Sequence, residues 1–258
     1  MSAPLMGKRI MVTGGATGIG AAAVCVFAAA GAAVVAYYHS TPPPDGLQAT
    51  WLQCDVRDPV LVTETVQRAT EILMGLDVLV HTAGVWQAGI PGQIGAEALD
   101  FVLDTNLKST VFANQTAHAV MQGHGGRIIN LGSAEGVMGS PISASYAAAK
   151  AAVHAWTRSA AKVWASQNIT VNALAPAMDT PGADRLRDFL GPDAAPFLDQ
   201  QLQGAIPLGG KLGDPARDLG PMLVFLAGDG ARFITGQLLA VDGGLMMLGA
   251  WAISHRVN

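Results

Sequence analysis

Tyr146 and Lys150 are the two residues whose types and spacing best suit acid–base chemistry in this chain. A tyrosine is a poor acid or base at neutral pH, because its ordinary pKa is about 10. Four residues apart on a helix, the two side chains project from the same face. The lysine ammonium group favours the tyrosinate, so we expect it to lower the pKa of Tyr146 towards working pH.

Ser133 lies upstream of this pair, shortly after the apolar stretch 127–131, which predicts a buried strand. Its hydroxyl is expected to meet the tyrosine and the lysine at the carboxyl end of that strand and to complete a proton-transfer site. The same tyrosine–lysine spacing also occurs on helices that take no part in catalysis. The prediction therefore depends on support from the rest of the chain.

A glycine-rich segment provides that support, with glycines at positions 14, 18 and 20 between an apolar strand, 9–12, and an alanine-rich helix, 21–30. Such glycines let the backbone approach a pyrophosphate, and a helix N-terminus offers free N–H groups to it. The spacing is G-x-x-x-G-x-G rather than G-x-G-x-x-G. Strand-to-helix turns also use glycine for steric reasons alone, so this loop indicates a dinucleotide site without proving it.

Together these residues resemble the short-chain dehydrogenase/reductase family, and the resemblance covers nearly the whole chain. It implies that Asn106 joins Ser133, Tyr146 and Lys150 as a catalytic residue, and that Asp55 caps the adenine of a nicotinamide cofactor, NAD(P)(H). The segment 241–244, Val-Asp-Gly-Gly, matches the final-strand signature of the family. The cofactor contacts that the resemblance implies are Thr13, Gly14, Thr17, Gly18, Ile19, Gly20, Tyr38, His39, Ser40, Asp55, Val56, Ala83, Gly84, Tyr146, Lys150, Pro176 and Thr180.

Strand and helix patterns alternate along the chain, which predicts one α/β domain over 1–258. We expect a single-domain, Rossmann-type, doubly wound parallel sheet of about seven strands with helices on both faces. Strands are predicted at 9–12, 33–37, 51–54, 78–81, 127–131, 170–173 and 237–241. Helices are predicted at 59–74, 96–121, 146–166 and 215–227. The interval from 38 to 55 is short for the family, so the helix there is expected to be absent or reduced.

The composition agrees with a soluble, cytoplasmic enzyme. Half of the 258 residues are hydrophobic and 13% are charged, which permits a large core. The net charge of −4 and the absence of basic runs argue against nucleic-acid binding. The apolar stretch 21–36 is interpreted as a packed helix and a buried strand rather than a membrane span. Cys25 and Cys54 have no metal-ligand spacing and are expected in the core, so no metal site is predicted.

The choice between NAD and NADP is the least determined property. NAD-preferring members of the family carry an acidic residue where this chain has Tyr38, and the positions that hold cations in NADP-preferring members are Thr17 and His39. Without a carboxylate to repel a 2′-phosphate, His39 and Ser40 favour NADP(H) slightly. The family's asparagine at the end of the fourth strand is replaced, and His81 stands nearby. Its role is left open between structure and catalysis.

The substrate is expected to be a ketone or secondary alcohol, held by Trp86, Glu135 and Met178 under a mobile lid at 179–210. Glu135 either contacts a substrate hydroxyl or amine, or faces solvent. Phe189 and Phe197 either cover an apolar substrate or anchor the lid to the core. Relatives commonly form tetramers, so a homotetramer or homodimer is expected, with the apolar segment 245–251 covered by a partner subunit or by its own.

Two other functions remain open at this point. The chain is either an oxidoreductase, a non-redox regulatory protein that binds the cofactor, or a nicotinamide-dependent epimerase or dehydratase. The presence of all four expected catalytic residues argues against a regulatory protein. Epimerases and dehydratases of this kind usually carry a larger C-terminal substrate domain, whereas little of this chain follows the last predicted strand.

Overall fold

A computed structural model describes residues 3–247 as one α/β domain with a seven-stranded parallel sheet. The strand order is β3-β2-β1-β4-β5-β6-β7. Successive strands are therefore added on one side of β1 up to β3 and on its other side from β4 onwards, while all strands stay parallel. This confirms the predicted fold class. The strands are β1 (Arg9–Thr13), β2 (Ala33–Tyr38), β3 (Thr50–Gln53), β4 (Val78–His81), β5 (Gly126–Leu131), β6 (Ile169–Pro176) and β7 (Leu238–Val241).

Helices cover both faces of the sheet, because the central strands are apolar on both sides. One core cluster includes Val24, Phe27 and Leu223, and the other includes Val66 and Trp164. The helices are α1 (Gly18–Ala29), α2 (Pro59–Leu73), α3 (Ala96–Leu103), α4 (Ser109–Met121), α5 (Glu135–Met138), α6 (Ala144–Trp164), α7 (Pro181–Ala205) and α8 (Gly220–Ala227).

Two of the predicted helices contain π-helical turns that the sequence pattern does not reveal. A π turn at Asp104–Lys108 joins α3 to α4, where one continuous helix was expected. Another, Pro215–Leu219, precedes α8. A π turn adds one residue to the helical repeat and often marks a functional site. The first of these turns carries Asn106.

The N-terminal apolar stretch forms α1 and β2, and none of the helices in the described residues is long and apolar enough to cross a membrane. No helix lies between β2 and β3, which confirms the expectation from the short interval. One expectation about the core was wrong. Cys54 is buried, but Cys25 is exposed, because its position on α1 faces away from the sheet.

The segment 179–210, which was predicted to form a lid, contains a kinked helix rather than an irregular loop. Helix α7 bends at Gly191, whose φ of 77° is outside the helical range, and Pro192 follows it. Arg187 joins the two halves of this helix, because it pairs with Asp179 and Asp184 before the kink and with Asp199 after it. In the C-terminal apolar segment 245–251, residues 248–251 lie outside the described part of the chain.

Candidate active site

A cavity of about 640 Å³ opens at the carboxyl ends of the strands, beside the β1–β4 switch point. This is where open parallel sheets bind their ligands. It is lined by all the residues expected from the sequence to contact cofactor or substrate except Thr13. Thr13 is buried behind the cavity wall, where its hydroxyl accepts a hydrogen bond from the backbone N–H of Ala83.

Helix α6 presents Tyr146 and Lys150 to this cavity, as their spacing predicts. Lys150 is buried, and its Nζ atom lies 5.6 Å from the centre of the Tyr146 ring. Nζ also donates a hydrogen bond of 2.8 Å to the carbonyl oxygen of Leu131, the last residue of β5. The lysine therefore links the catalytic helix to the end of a central strand.

Ser133 lies two residues beyond β5, close enough to Tyr146 for hydrogen bonding to favour the tyrosinate. Its backbone N–H donates to His154 Nε2 at 3.3 Å. Its Oγ accepts the backbone N–H of Glu135 at 3.2 Å. These contacts fix the turn that carries the serine and direct its hydroxyl towards the tyrosine.

The pKa of Tyr146 departs from the sequence-based expectation. Burial raises this pKa, and the Glu135 carboxylate raises it further, while Ser133 and Arg185 lower it by less. The tyrosine is thus held in its protonated form, and the expected lowering by Lys150 is not found. Burial also lowers the pKa of Lys150 to about 8, because the ammonium group lies in a dry environment.

Asn106 is fully buried in the π turn between α3 and α4. Its Nδ2 donates to the carbonyl oxygens of Val85 and Val102, each at 3.0 Å, and its Oδ1 accepts the backbone N–H of Val85. A Cβ added at Gly84 would lie 2.9 Å from Asn106 Oδ1 and 3.4 Å from Lys150 Nζ. Gly84 therefore allows the asparagine and the lysine to approach each other beside the cavity.

His81 is a structural residue in this arrangement. The hydroxyl of Ser109 donates to the carbonyl oxygen of Thr105, so it must accept a hydrogen bond from the N–H at His81 Nε2. His81 Nδ1 then accepts from the Thr13 hydroxyl at 3.0 Å. Burial, followed by the charge of Lys150, lowers the pKa of His81 to about 3. The neutral ring joins the end of β1 to α4 and does not line the cavity.

The glycine loop fits a dinucleotide pyrophosphate. Gly14 and Gly18 have φ values of 64° and 51°, and a Cβ on Gly14 would meet the Ala83 backbone at 2.9 Å. Thr17 precedes α1 without a side-chain cap, and the first turn of this helix has no acidic residue. Its N–H groups are thus available to an anion, so these residues fit the cofactor that the family resemblance implies.

Asp55 lies at the far end of the cavity in a cluster of charged groups. Arg57 Nη2 pairs with its carboxylate at 2.5 Å, and His39 Nε2 lies 3.6 Å from it. The hydrogen bond from Arg57 lowers the pKa of Asp55 below its ordinary value. Arg57 lines the cavity but was not predicted as a site residue. Its position two residues after Asp55 was the available signal.

Three predicted substrate residues line the other end of the cavity. Trp86 Nε1 donates to Glu135 Oε1 at 3.2 Å, and Ser143 donates to the second carboxylate oxygen. Glu135 thus points inward rather than into solvent, and burial raises its pKa. Met178 is buried, and it belongs to the core as well as to the cavity wall.

The two lid phenylalanines have different environments. Phe189 is 45% exposed and packs edge-on against Trp86, with ring centroids 6.2 Å apart, whereas Phe197 is 60% exposed. Arg185, also on α7, lines the cavity and was missed by sequence reasoning. Only the fold shows which face of the lid helix is turned towards Tyr146.

Comparison with known proteins agrees with this geometry. The sequence model of a family described as enoyl-(acyl carrier protein) reductase matches residues 14–246. The 3-oxoacyl-[acyl-carrier-protein] reductase of Thermotoga maritima is 34% identical over 254 residues, covering 94% of this chain and 99% of that protein. The 2-(S)-hydroxypropyl-CoM dehydrogenase 3 of Xanthobacter autotrophicus is 31% identical, covering 95% and 99% respectively.

Solved structures show the same fold over nearly the full length. A short-chain alcohol dehydrogenase from Sinorhizobium meliloti, described as putative, has a TM-score of 0.84 and 31% identity, covering 96% of this chain and 99% of that one. A short-chain dehydrogenase/reductase from Burkholderia xenovorans, also described as putative, has a TM-score of 0.89 and 29% identity, with 96% and 99% coverage. This chain therefore belongs to the short-chain dehydrogenase/reductase family and is a nicotinamide-dependent oxidoreductase of alcohols and ketones.

Proposed function

We propose that the chain interconverts a ketone and a secondary alcohol with Tyr146 as the general acid and base. The observation that carries this proposal is the convergence of Tyr146, Ser133 and Lys150 on one cavity that also contains the glycine loop. Bound nicotinamide supplies the hydride for reduction and accepts it in oxidation. The chain's own residues position the substrate and handle the proton.

In reduction, Tyr146 donates its proton to the substrate oxygen, and Ser133 hydrogen-bonds to the same oxygen. The raised pKa of Tyr146 favours this direction, because the residue is protonated before the reaction. The Lys150 ammonium group would hydrogen-bond to the ribose hydroxyls of the cofactor. Asn106 holds the adjoining helix turn and a water that resupplies the proton.

We also propose a preference for NADP(H) over NAD(H). No acidic residue stands at Tyr38, at the end of β2, and His39 and Ser40 follow it along the cavity. Arg57 adds a guanidinium group at the same end. Dissociation constants for NADPH and NADH test the preference, and weaker binding of NADPH than of NADH would overturn it.

The reaction itself is tested with a panel of ketones and alcohols, by following the nicotinamide absorbance. Turnover of a ketone supports the proposal. Cofactor binding without any turnover would favour a regulatory protein, and conversion of a nucleotide sugar without net change in absorbance would favour an epimerase or dehydratase. The 3-oxoacyl reductases among the relatives make 3-oxo compounds the first substrates to test.

We further propose that the protein acts in the cytoplasm as a homotetramer or homodimer. Large apolar side chains lie exposed on the described surface, including Phe233 at 99%, Val163 and Phe225. Such side chains are typical of surfaces that subunits cover. Light scattering on the purified protein measures the mass, and a monomer at micromolar concentration would contradict the assembly.

A further inference from the structure

One face of the lid helix is turned towards the reaction centre. Arg185 and Phe189 lie one helical turn apart on α7, so their side chains project from the same face. Phe189 contacts Trp86 at the cavity wall, which sets the orientation of that face. Arg185 consequently lines the same cavity as Ser133 and Tyr146, and its charge is felt at Tyr146.

Arg185 differs from Arg187, the other arginine of this helix. Arg187 is neutralised by three aspartates, Asp179, Asp184 and Asp199. Within residues 3–247, no carboxylate forms an ion pair with Arg185, whose side chain is exposed. Asp188, one turn further along, lines the adjoining smaller cavity but does not pair with it. Arg185 is thus free to pair with a ligand.

The charges around the substrate end favour an anion there. Lys150 is buried at the back of the cavity and is directed to the Leu131 carbonyl oxygen. The carboxylate of Glu135 is held by Trp86 and Ser143 on the wall. Among the described residues that line this cavity, Arg185 is therefore the cation that is both exposed and without an ion pair. A guanidinium group binds carboxylates with paired hydrogen bonds, which a point charge does not match.

We propose that Arg185 binds a carboxylate group of the substrate, so that the enzyme acts on oxo acids and the corresponding hydroxy acids. This inference rests on the proposed function, because Tyr146 and Ser133 must bind the carbonyl oxygen of the same molecule. The carboxylate then lies towards the lid while the carbonyl carbon lies at the base of the cavity. Binding of the acid also neutralises Arg185 at the entrance to the site.

A matched pair of substrates tests the proposal: acetoacetate and its methyl ester, which differ in charge at one end. The wild-type enzyme with NADPH should show a higher kcat/KM for the acid. The variant Arg185→Met keeps the apolar stem and removes the charge. It should lower kcat/KM for the acid about 10- to 100-fold and change that for the ester by about twofold or less. The control Arg232→Met, outside the cavity, should change neither.

Equal losses for acid and ester in Arg185→Met, or a wild-type preference for the ester, would overturn the carboxylate assignment while leaving carbonyl reduction intact. A binding measurement separates the inference from turnover. Calorimetry with 3-hydroxybutyrate and NADPH, a pair that does not react, should give tighter binding to the wild type than to Arg185→Met. Equal affinity in the two proteins would contradict the inference even if no substrate were reduced.

Discussion

The Nζ atom of Lys150 lies 5.6 Å from the centre of the Tyr146 ring and donates a hydrogen bond to the Leu131 carbonyl oxygen. This relationship places a cation beside the proposed proton donor, with Lys150 buried and Tyr146 half-buried at the cavity wall. Burial lowers the pKa of Lys150 to about 8 and raises that of Tyr146. The protein therefore carries an electrostatic cost at the centre of its proposed chemistry.

The first prediction concerns that cost. Lys150→Met should abolish turnover yet stabilise the fold at pH 7 by about 1–2 kcal/mol. Burial lowers the pKa of Lys150 from 10.5 to about 8, which corresponds to a destabilisation of about 3 kcal/mol by the charged lysine. The hydrogen bond to Leu131 that the variant loses is subtracted from this gain. Chemical denaturation of both proteins measures the difference. Lys162→Met, an exposed control on the same helix, should have little effect.

The pH dependence of that difference has a definite sign. Between pH 8 and 10.5 the unfolded state binds more protons at Lys150 than the folded state does, so wild-type stability rises with pH relative to the Met variant. The advantage of Lys150→Met should therefore shrink over this range. An advantage that grew with pH would show that burial does not penalise the charged lysine.

The second prediction concerns the reductive rate. Turnover of a ketone by the wild-type enzyme should fall as pH rises through about 8, because Lys150 then loses the charge that would strengthen its hydrogen bonds to the cofactor ribose. Tyr146 itself remains protonated over this range, because its pKa is raised. A kcat profile from pH 6 to 10 measures the fall. A rate that increased across pH 8 would contradict the assigned role of Lys150.

Glu135 is the subject of the third prediction. Its carboxylate raises the pKa of Tyr146, so Glu135→Gln should move the onset of alcohol oxidation, which needs the tyrosinate, to lower pH by about half to one unit. Glutamine can still accept from Trp86 and hydrogen-bond to Ser143, so the wall is kept. Between pH 6 and 10 Tyr146 is mostly protonated in both proteins, so the rate of oxidation should rise with pH in each. The displacement between the two rising curves measures the change in onset.

The control for this prediction is Glu135→Ala, which removes the charge together with both hydrogen bonds. It should lower the melting temperature more than Glu135→Gln does, because Trp86 and Ser143 lose their acceptor. A purely structural role would leave the onset in Glu135→Gln unchanged. That result would contradict the electrostatic effect of Glu135 on Tyr146.

The sequence predicted those parts of the site that depend on short spacings. One turn holds the glycines at 14 and 18, and one helix face holds Tyr146 and Lys150. The alternation of strands and helices predicted the sheet that brings these two features together. The position of Arg185 depends instead on how the lid helix packs against Trp86, which no local pattern records. The pKa of Tyr146 likewise depends on burial and on Glu135, which only the folded chain determines.

His81 supports the fourth prediction. His81→Ala should destabilise the fold by about 2–4 kcal/mol, because it leaves a cavity and removes the partner of Thr13 and Ser109. Denaturation at pH 7 measures the loss. The exposed His124, which makes one hydrogen bond to the Leu76 carbonyl oxygen, provides a control whose replacement by alanine should cost about 1 kcal/mol or less.

Acid should act on this same residue. The pKa of His81 is about 3 in the folded state and near 6.5 when the chain is unfolded, so the unfolded state binds more protons between these values. As the pH is lowered from 6.5 to 3, the free energy of unfolding of the wild type should therefore fall more steeply than that of His81→Ala. Identical slopes for the two proteins would show that the folded state does not hold this histidine neutral.

The measurement that tests the central claim most directly is turnover by Tyr146→Phe, together with the affinity of this variant for NADPH. The substitution removes only the hydroxyl that is proposed to donate the proton. We predict that ketone reduction falls by about 10²- to 10⁴-fold or more, while the dissociation constant for NADPH stays within about threefold of the wild-type value, because the glycine loop is unchanged. Near-normal turnover with unchanged cofactor binding would contradict the account.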